Sequence, residues 1–374
     1  MYFMKILNIS FILALCFFSP IKANEIYSSK KHSFTVETVV EGLENPWSVD
    51  FSPDGQIFVT ERPGRLRLVE NGELSEPIKG LPKIKAKGQG GLLDIAFDPD
   101  FKNNQTIYFS YSGADKTGIG TEVASAKLID NELTEVKTLF RALPKSRGGH
   151  HFGSRLLINK EGHLYITLGD RGTKERAQEI NDHAGSLIRI NKDGTIPQEN
   201  PFINNPAAKP EIYTYGNRNM QGIAAHPETG DVWTIEHGPQ GGDELNLMQP
   251  GVNYGWPIIT YGVNYVIGTK IGEGTEKEGM AQPVHYWVPS IAASSLMFYT
   301  GDKFPAWKGN AFVSSLVFGQ LARLEMKNNK VINEERLLDG DFGRIREIQQ
   351  GLDGLLYFIS DDSRGKLYRL KPVK

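Results

Sequence analysis

The chain has 374 residues, with 42 lysines and arginines against 44 aspartates and glutamates, and a formal charge of −2. So balanced a composition gives no electrostatic reason to bind nucleic acid, which calls for a basic face. A hydrophobic content of 39% supports a large core, and a single cysteine excludes a disulfide scaffold.

The first element is an export signal. Lys5 gives a positive start, Ile6–Phe18 is an apolar run, and Pro20 and Ala23 supply a small-residue cleavage site before Asn24. The run is too short to span a bilayer core, so we expect a 1–23 signal peptide and a periplasmic or secreted product. Lipoprotein cleavage at Cys16 is the alternative, opposed by the bulk of Leu15 and the apolar Phe17-Phe18. A mature chain without Cys16 has no cysteine. Thiol catalysis, Cys-ligated zinc, iron–sulfur clusters and Cys-x-x-Cys-His haem attachment are thereby excluded.

From residue 24 onward the pattern is β almost throughout. One unit recurs: an apolar strand, a polar turn, then a strand rich in branched or aromatic residues. It occurs at Val49–Thr60, Ile95–Ser110, Leu156–Leu168 and Ile223–Ile235, and more weakly at Phe304–Leu324 and Ile348–Ser360. The turn markers are Asp54, Asp100, Glu161, Glu228, Lys308 and Asp353. Six such turns predict radial repetition, hence an all-β, six-bladed β-propeller forming one domain over 24–374. Phe34–Val40 and Lys366–Leu370 are the candidates to close the ring, and Val263–Gln282 is a long insertion. Strands are expected to alternate in burial as one face meets the next blade.

A propeller gathers loops at one mouth of its central channel, so polar residues flanking strands are the candidates for chemistry. The densest run is Tyr215–Gly222, followed by Glu236–Asn246 and Asn253–Pro257. The stretch His237-Gly238-Pro239-Gln240-Gly241-Gly242-Asp243-Glu244 cannot be a strand interior. Exposed carbonyls beside carboxylates suit a hard cation such as Ca²⁺; a Gly-rich turn with a solvated acidic pair is the blander alternative.

Arg147–Arg155 holds the His150-His151 pair before a strand, and alternation lets only one imidazole face the channel. It is either a general base or a hydrogen-bonded structural residue. Arg344 and Arg346, at i and i+2, share a strand face. Either an anion lies between them or they pair with Asp341, Glu347 or Asp361. Gln89 is a loop amide ahead of a strand. No Rossmann glycine fingerprint, P-loop, Gly-x-Ser-x-Gly elbow or His-Glu-x-x-His is present.

Taken in order, these segments resemble the soluble pyrroloquinoline quinone (PQQ) dependent sugar dehydrogenases, specifically the aldose sugar dehydrogenase branch of the glucose/sorbosone dehydrogenase family. The resemblance runs from Asn45-Pro46-Trp47 to Leu370. It is most specific at Glu236–Asn246 with Asn253–Pro257, at Gly149–Leu156, at Gly216–Gly222, and at Arg344–Glu347 before Asp353-Gly354.

The resemblance implies PQQ- and Ca²⁺-dependent oxidation of an aldose mono- or oligosaccharide at C1 to the lactone, with electrons passed to an external acceptor. It makes His151 the base and sets Arg218 beside the quinone. Gln89, Asn219, Arg344, Arg346 and Asp361 become cofactor contacts. The Gly238 and Pro239 carbonyls become ligands of a catalytic Ca²⁺, and Glu244 with the Tyr254 carbonyl part of a second Ca²⁺ site.

Two positions depart from the glucose-oxidising branch: Val317 aligns with a lysine and His237 with a glutamine. Tyr286 or Trp287 is the expected aromatic cover of the cofactor. Alternatives are a calcium-dependent lactonase on the same fold and an extracellular propeller that only binds. Neither a nucleic-acid partner nor a membrane span is expected.

Overall fold

The structure is a computed structural model that describes residues 25–373. The expected 1–23 signal segment and Cys16 lie outside them. Six small antiparallel sheets account for the strands, one sheet of five and five sheets of four. In chain order the innermost strands of blades 1 to 6 are Pro46–Phe51, Leu92–Phe97, Leu156–Ile158, Met220–Ala225, Ala293–Phe298 and Ile345–Gln350. Each touches the next and the last touches the first, which makes a closed ring.

Closure is made by the expected ends of the chain. Ser33–Leu43 pairs antiparallel with Gly365–Pro372, setting Val36 opposite Leu370 and Val40 opposite Leu367. Ile26–Ser28 adds an outer strand to the same sheet. Blade 6 is thus stitched from both ends of the described chain, and no inner edge is left open.

All six turn markers lie in the connection between the first and second strands of their blades. The tight turns bend through a residue of positive φ, such as Gly55 (95°) and Gly162 (86°), where only glycine escapes a Cβ clash. Blade 5 differs from expectation. Its segment Phe304–Leu324 covers the second and third strands, Ala311–Ser315 and Leu321–Lys327, and Lys308 follows a 3₁₀ turn, Pro305–Trp307. The long insertion falls between Asp243–Leu247 and His285–Trp287 in blade 4, as its length requires.

Alternating burial fails in the inner half of each blade. Val232–Glu236, Ala293–Phe298 and Leu356–Ser360 are buried at every position. The reason is that a neighbouring blade covers each face, so both sets of side chains are interior. Apolar clusters sit between successive blades, for example Phe58, Leu66 and Leu68 of blade 1 against Ile95 and Phe109 of blade 2. Only outer strands such as Arg65–Glu70 keep polar residues at the surface.

A single guanidinium ties the ring together. Arg155, 3% exposed, immediately precedes the inner strand of blade 3. Its Nε donates to the Gln221 carbonyl at 2.8 Å, and Nη1 donates to Asp94 at 3.3 Å and to Glu347. Nη2 donates to the carbonyls of Ser294 (3.0 Å) and Arg346 (3.4 Å), while the Trp47 ring packs against the guanidinium with its centre 4.0 Å away. Its partners come from the inner strands of the five other blades.

Candidate active site

Above Arg155, on the side of the inner-strand starts, lies a cavity of about 250 Å³. Gln89, Asn219, Arg344, Arg346 and Asp361 all line it, so five residues taken from four distant segments meet there. Sequence reasoning named His237 and quoted the segments of Trp47, Phe152 and Gln221 without giving them a place in this wall, and it missed Arg62. Arg62 directly follows the strand Ile57–Glu61 and so met the strand-flanking criterion. Trp47 and Phe152 are buried apolar residues that carried no polar signal.

The cavity is cationic. Arg62, Arg344 and Arg346 face one carboxylate, Asp361, whose Oδ2 accepts from Arg344 Nη2 (3.0 Å) and Arg346 Nη2 (2.8 Å). Neither Asp341 nor Glu347 pairs with them; Glu347 belongs to Arg155. Burial opposes the Asp361 charge, but Arg346 and Arg344 hold its carboxyl below the usual range. Arg346 Nε and His237 Nε2 are buried with no partner. Burial, with Arg218 and Arg346 nearby, pushes the His237 pKa down to about 3, so its imidazole is neutral. A multiply anionic, planar group with hydrogen-bond acceptors fits this lining, because it would neutralise the surplus arginines and engage the orphaned donor.

His151 does not itself line this cavity but adjoins residues that do. Its N–H donates to Gln89 Oε1 at 2.7 Å, and Phe152 and Gly153 continue into the cavity wall. The alternation premise does not hold here, because the segment is irregular until Leu156 and His151 has φ 50°. Ser154 (82°) and Arg171 (60°) are also left-handed. Each such residue costs about 1–2 kcal/mol, a strain that the surrounding contacts must hold in place.

The imidazole Nδ1 lies 2.6 Å from Asp170 Oδ1, and Asp170 also accepts from Gly172 N (2.7 Å) and Trp256 Nε1 (2.8 Å). Burial and the Arg218 charge hold His151 below its ordinary pKa, against the pull of Asp170. A neutral ring whose Nδ1–H donates a hydrogen bond to Asp170 presents a basic Nε2. Asp170, like Arg62, is a strand-flanking residue that the sequence reading overlooked.

Arg218 does not line this cavity. Its Nη1 donates to the carbonyls of Gly238 (2.6 Å) and His237 (3.1 Å), and its guanidinium carbon lies 5.4 Å from the Trp256 ring centre. The Gly238 carbonyl is therefore engaged by a cation already. Pro239 lines a wider depression of about 500 Å³ at the mouth, with Tyr265, Val288, Val317 and Phe318.

The two aromatic residues expected to cover the cofactor lie outside the cavity lining. Trp287 is core, its indole N–H on Glu334, and Tyr286 stacks on Tyr261 with ring centres 3.8 Å apart. Neither lines the cavity; Trp47 and Phe152 do.

Glu244 and Tyr254 border a second, small pocket with Glu236, Gly238 and Arg218. Glu236 and Glu244 are direct cross-strand partners. Burial raises both carboxyls, and each like charge adds to the cost of ionising the other. Asn246 Nδ2 donates to both, and Asn217 Nδ2 donates to Glu236, leaving each amide oxygen buried and unpaired. Turning either amide about its terminal bond would present that oxygen to a cation. The carboxylates and amide oxygens therefore suit a hard cation here, in the same pocket that Gly238 lines, while Pro239 lines the wider depression.

A cationic cavity at the mouth of a six-bladed propeller, flanked by an imidazole–carboxylate pair, defines a propeller enzyme with a site for an anionic prosthetic group. Comparison with known proteins agrees. The family model described as Glucose / Sorbosone dehydrogenase matches residues 43–369. An Escherichia coli protein named aldose sugar dehydrogenase is 41% identical over 344 residues, covering 90% of this chain and 92% of its own. Quinoprotein glucose dehydrogenase B of Acinetobacter calcoaceticus is 30% identical over 332 residues, covering 79% and 67% respectively. The crystal structure of the E. coli soluble aldose sugar dehydrogenase in its apo-form superposes with a TM-score of 0.88 at 40% identity, covering 91% of this chain and all of that one (100%). The chain belongs to the glucose/sorbosone dehydrogenase family and is an oxidoreductase.

Proposed function

We propose that this protein oxidises aldose sugars at C1 to the lactone, using bound PQQ and passing electrons to an external acceptor. The observation that carries this reading is a cavity where three arginines meet one carboxylate and Arg346 keeps a buried Nε without a partner, beside the His151–Asp170 pair. PQQ, when bound, supplies an orthoquinone able to accept a hydride from the sugar. Arg344, Arg346 and Arg62 would hold its carboxylates, and Trp47 and Phe152 supply apolar walls beside the ring system.

The remaining chemistry belongs to the chain. His151 takes the proton of the anomeric hydroxyl at Nε2 as C1 gives up its hydride, so the ring carbon becomes a lactone carbonyl. Asp170 fixes the tautomer and stabilises the imidazolium that forms, in the manner of other carboxylate–imidazole pairs. Glu236 and Glu244, with the Asn217 and Asn246 amides, would hold a Ca²⁺ ion. The apolar run Ile6–Phe18 supports export, which N-terminal sequencing of the processed protein would test by a start at Asn24.

The deciding assay mixes cofactor-free protein with PQQ, Ca²⁺, an aldose and an electron-accepting dye. Dye bleaching that requires PQQ is expected, and His151→Ala should lower turnover about 10²–10⁴-fold while PQQ still binds. Lactone hydrolysis with Ca²⁺ alone would replace the reading with a hydrolase. Sugar binding without turnover would favour a binding module.

A further inference from the structure

Arg171 takes no part in the chemistry above, yet it is 7% exposed and its guanidinium reaches into the loop that carries His151. Its Nη2 donates to the Gly148 carbonyl at 2.8 Å and its Nη1 to the His150 carbonyl. The same group lies flat on the Phe152 ring, 3.5 Å from its centre. It therefore grips the residue before His151 and the residue after it.

We propose that Arg171 is a positioning residue that locks the backbone of the His151 loop in its left-handed conformation, so that the imidazole meets both Asp170 and the substrate. The proposal rests on the functional reading given above. Three holds converge on His151 from two segments. Gln89 takes its N–H, Asp170 takes its ring, and Arg171 takes the peptide groups around it.

The fourth side is closed by Gly169, where an added Cβ would come within 2.3 Å of the His151 carbonyl. Asp170 and Arg171 are adjacent in sequence, so ring and loop are held by one dipeptide. Arg171 itself has φ 60°, and Gly172 N returns a hydrogen bond to Asp170. A strained catalytic loop needs such over-determination, because a base displaced by about 1 Å loses on the order of 10²-fold in rate. Lysine in this place would keep the charge but lose the fork that spans two carbonyls and the plane that stacks on Phe152.

The test is a double-mutant cycle with a second readout that needs no cofactor. Arg171→Met should lower kcat about 10–100-fold, with KM for the aldose and the PQQ dissociation constant within about threefold of wild type. Arg171→Lys should fall between the two. In a His151→Ala background, Arg171→Met should cost less than about threefold more, because the residue acts through the base.

In cofactor-free protein, hydrogen exchange over residues 147–154 should quicken at least about tenfold in Arg171→Met. Equal losses in both backgrounds, or unchanged exchange, would overturn the proposal. If Arg171→Met does not fold, Arg171→Lys carries the same comparisons. A wild-type protein inactive with PQQ would sink the functional reading, while the exchange result would still decide whether the clamp exists.

Discussion

Arg155 and Arg346 lie on either side of one peptide group, with Arg155 donating to the Arg346 carbonyl, yet their side chains meet different surroundings. Every nitrogen of Arg155 has a partner, and two carboxylates balance its charge. Arg346 shares one carboxylate oxygen with Arg344 and has a buried Nε with no partner. Burial lowers the Arg346 pKa, and the charges of Arg155 and Arg344 add to the effect. A buried cation whose donors are all met within the protein belongs to the fold. Arg346 combines an open donor with a cavity poor in carboxylate, and that combination points to an anionic ligand.

The sharpest way to break that contrast is Arg155→Met. It leaves Asp94 and Glu347 without a counter-charge in the ring's centre and should cost about 3–5 kcal/mol, measured by urea unfolding. The acidic counterpart of the open arginines is the Glu236–Glu244 pair. Calcium at about a hundredfold over its dissociation constant should stabilise the protein by about 2.7 kcal/mol, read as a raised thermal midpoint. Glu244→Gln should abolish that increment.

Arg346→Met should do the reverse of Arg155→Met. Stability should stay within about 1 kcal/mol, while PQQ affinity falls about 10–100-fold, as expected for lost charge-assisted hydrogen bonds. Calorimetric titration separates the two.

The pH profile adds a finer test. With His151 held below its ordinary pKa, the acid limb of kcat/KM should fall below pH 6.5, the free imidazole value. Asp170→Asn removes a negative charge that favours the imidazolium, so the limb should move lower still while kcat drops. The smallest effect is expected at the rim. Val317, 59% exposed, adds no charge there, and Val317→Lys should tighten PQQ by at most about tenfold without changing stability.

Much of the fold was readable because it repeats. Turn chemistry at Asp54, Glu161 or Asp353 is local, and local signals survive without tertiary context. Strand burial was misjudged because each blade is covered on both faces, a fact about neighbours that no single strand records. The site divides in the same way. Gln89, Asn219, Arg344, Arg346 and Asp361, singled out through the family resemblance, meet in one cavity. Arg62 and Asp170 stood in the right kind of place but stood alone. Trp47, Phe152 and Arg171 look in sequence like ordinary core residues or surface charge.

By itself the sequence determined that this is a six-bladed ring closed by its own ends, with imidazole, guanidinium and carboxylate at its mouth, because periodic turns and strand-flanking polar residues are local properties. Only the tertiary structure decided which arginine is paired and which is open, that Asp170 rather than a nearer carboxylate orients His151, and that Trp287 is core. Those outcomes depend on distances between residues far apart in the chain, and partners at such separations are chosen by the closed ring.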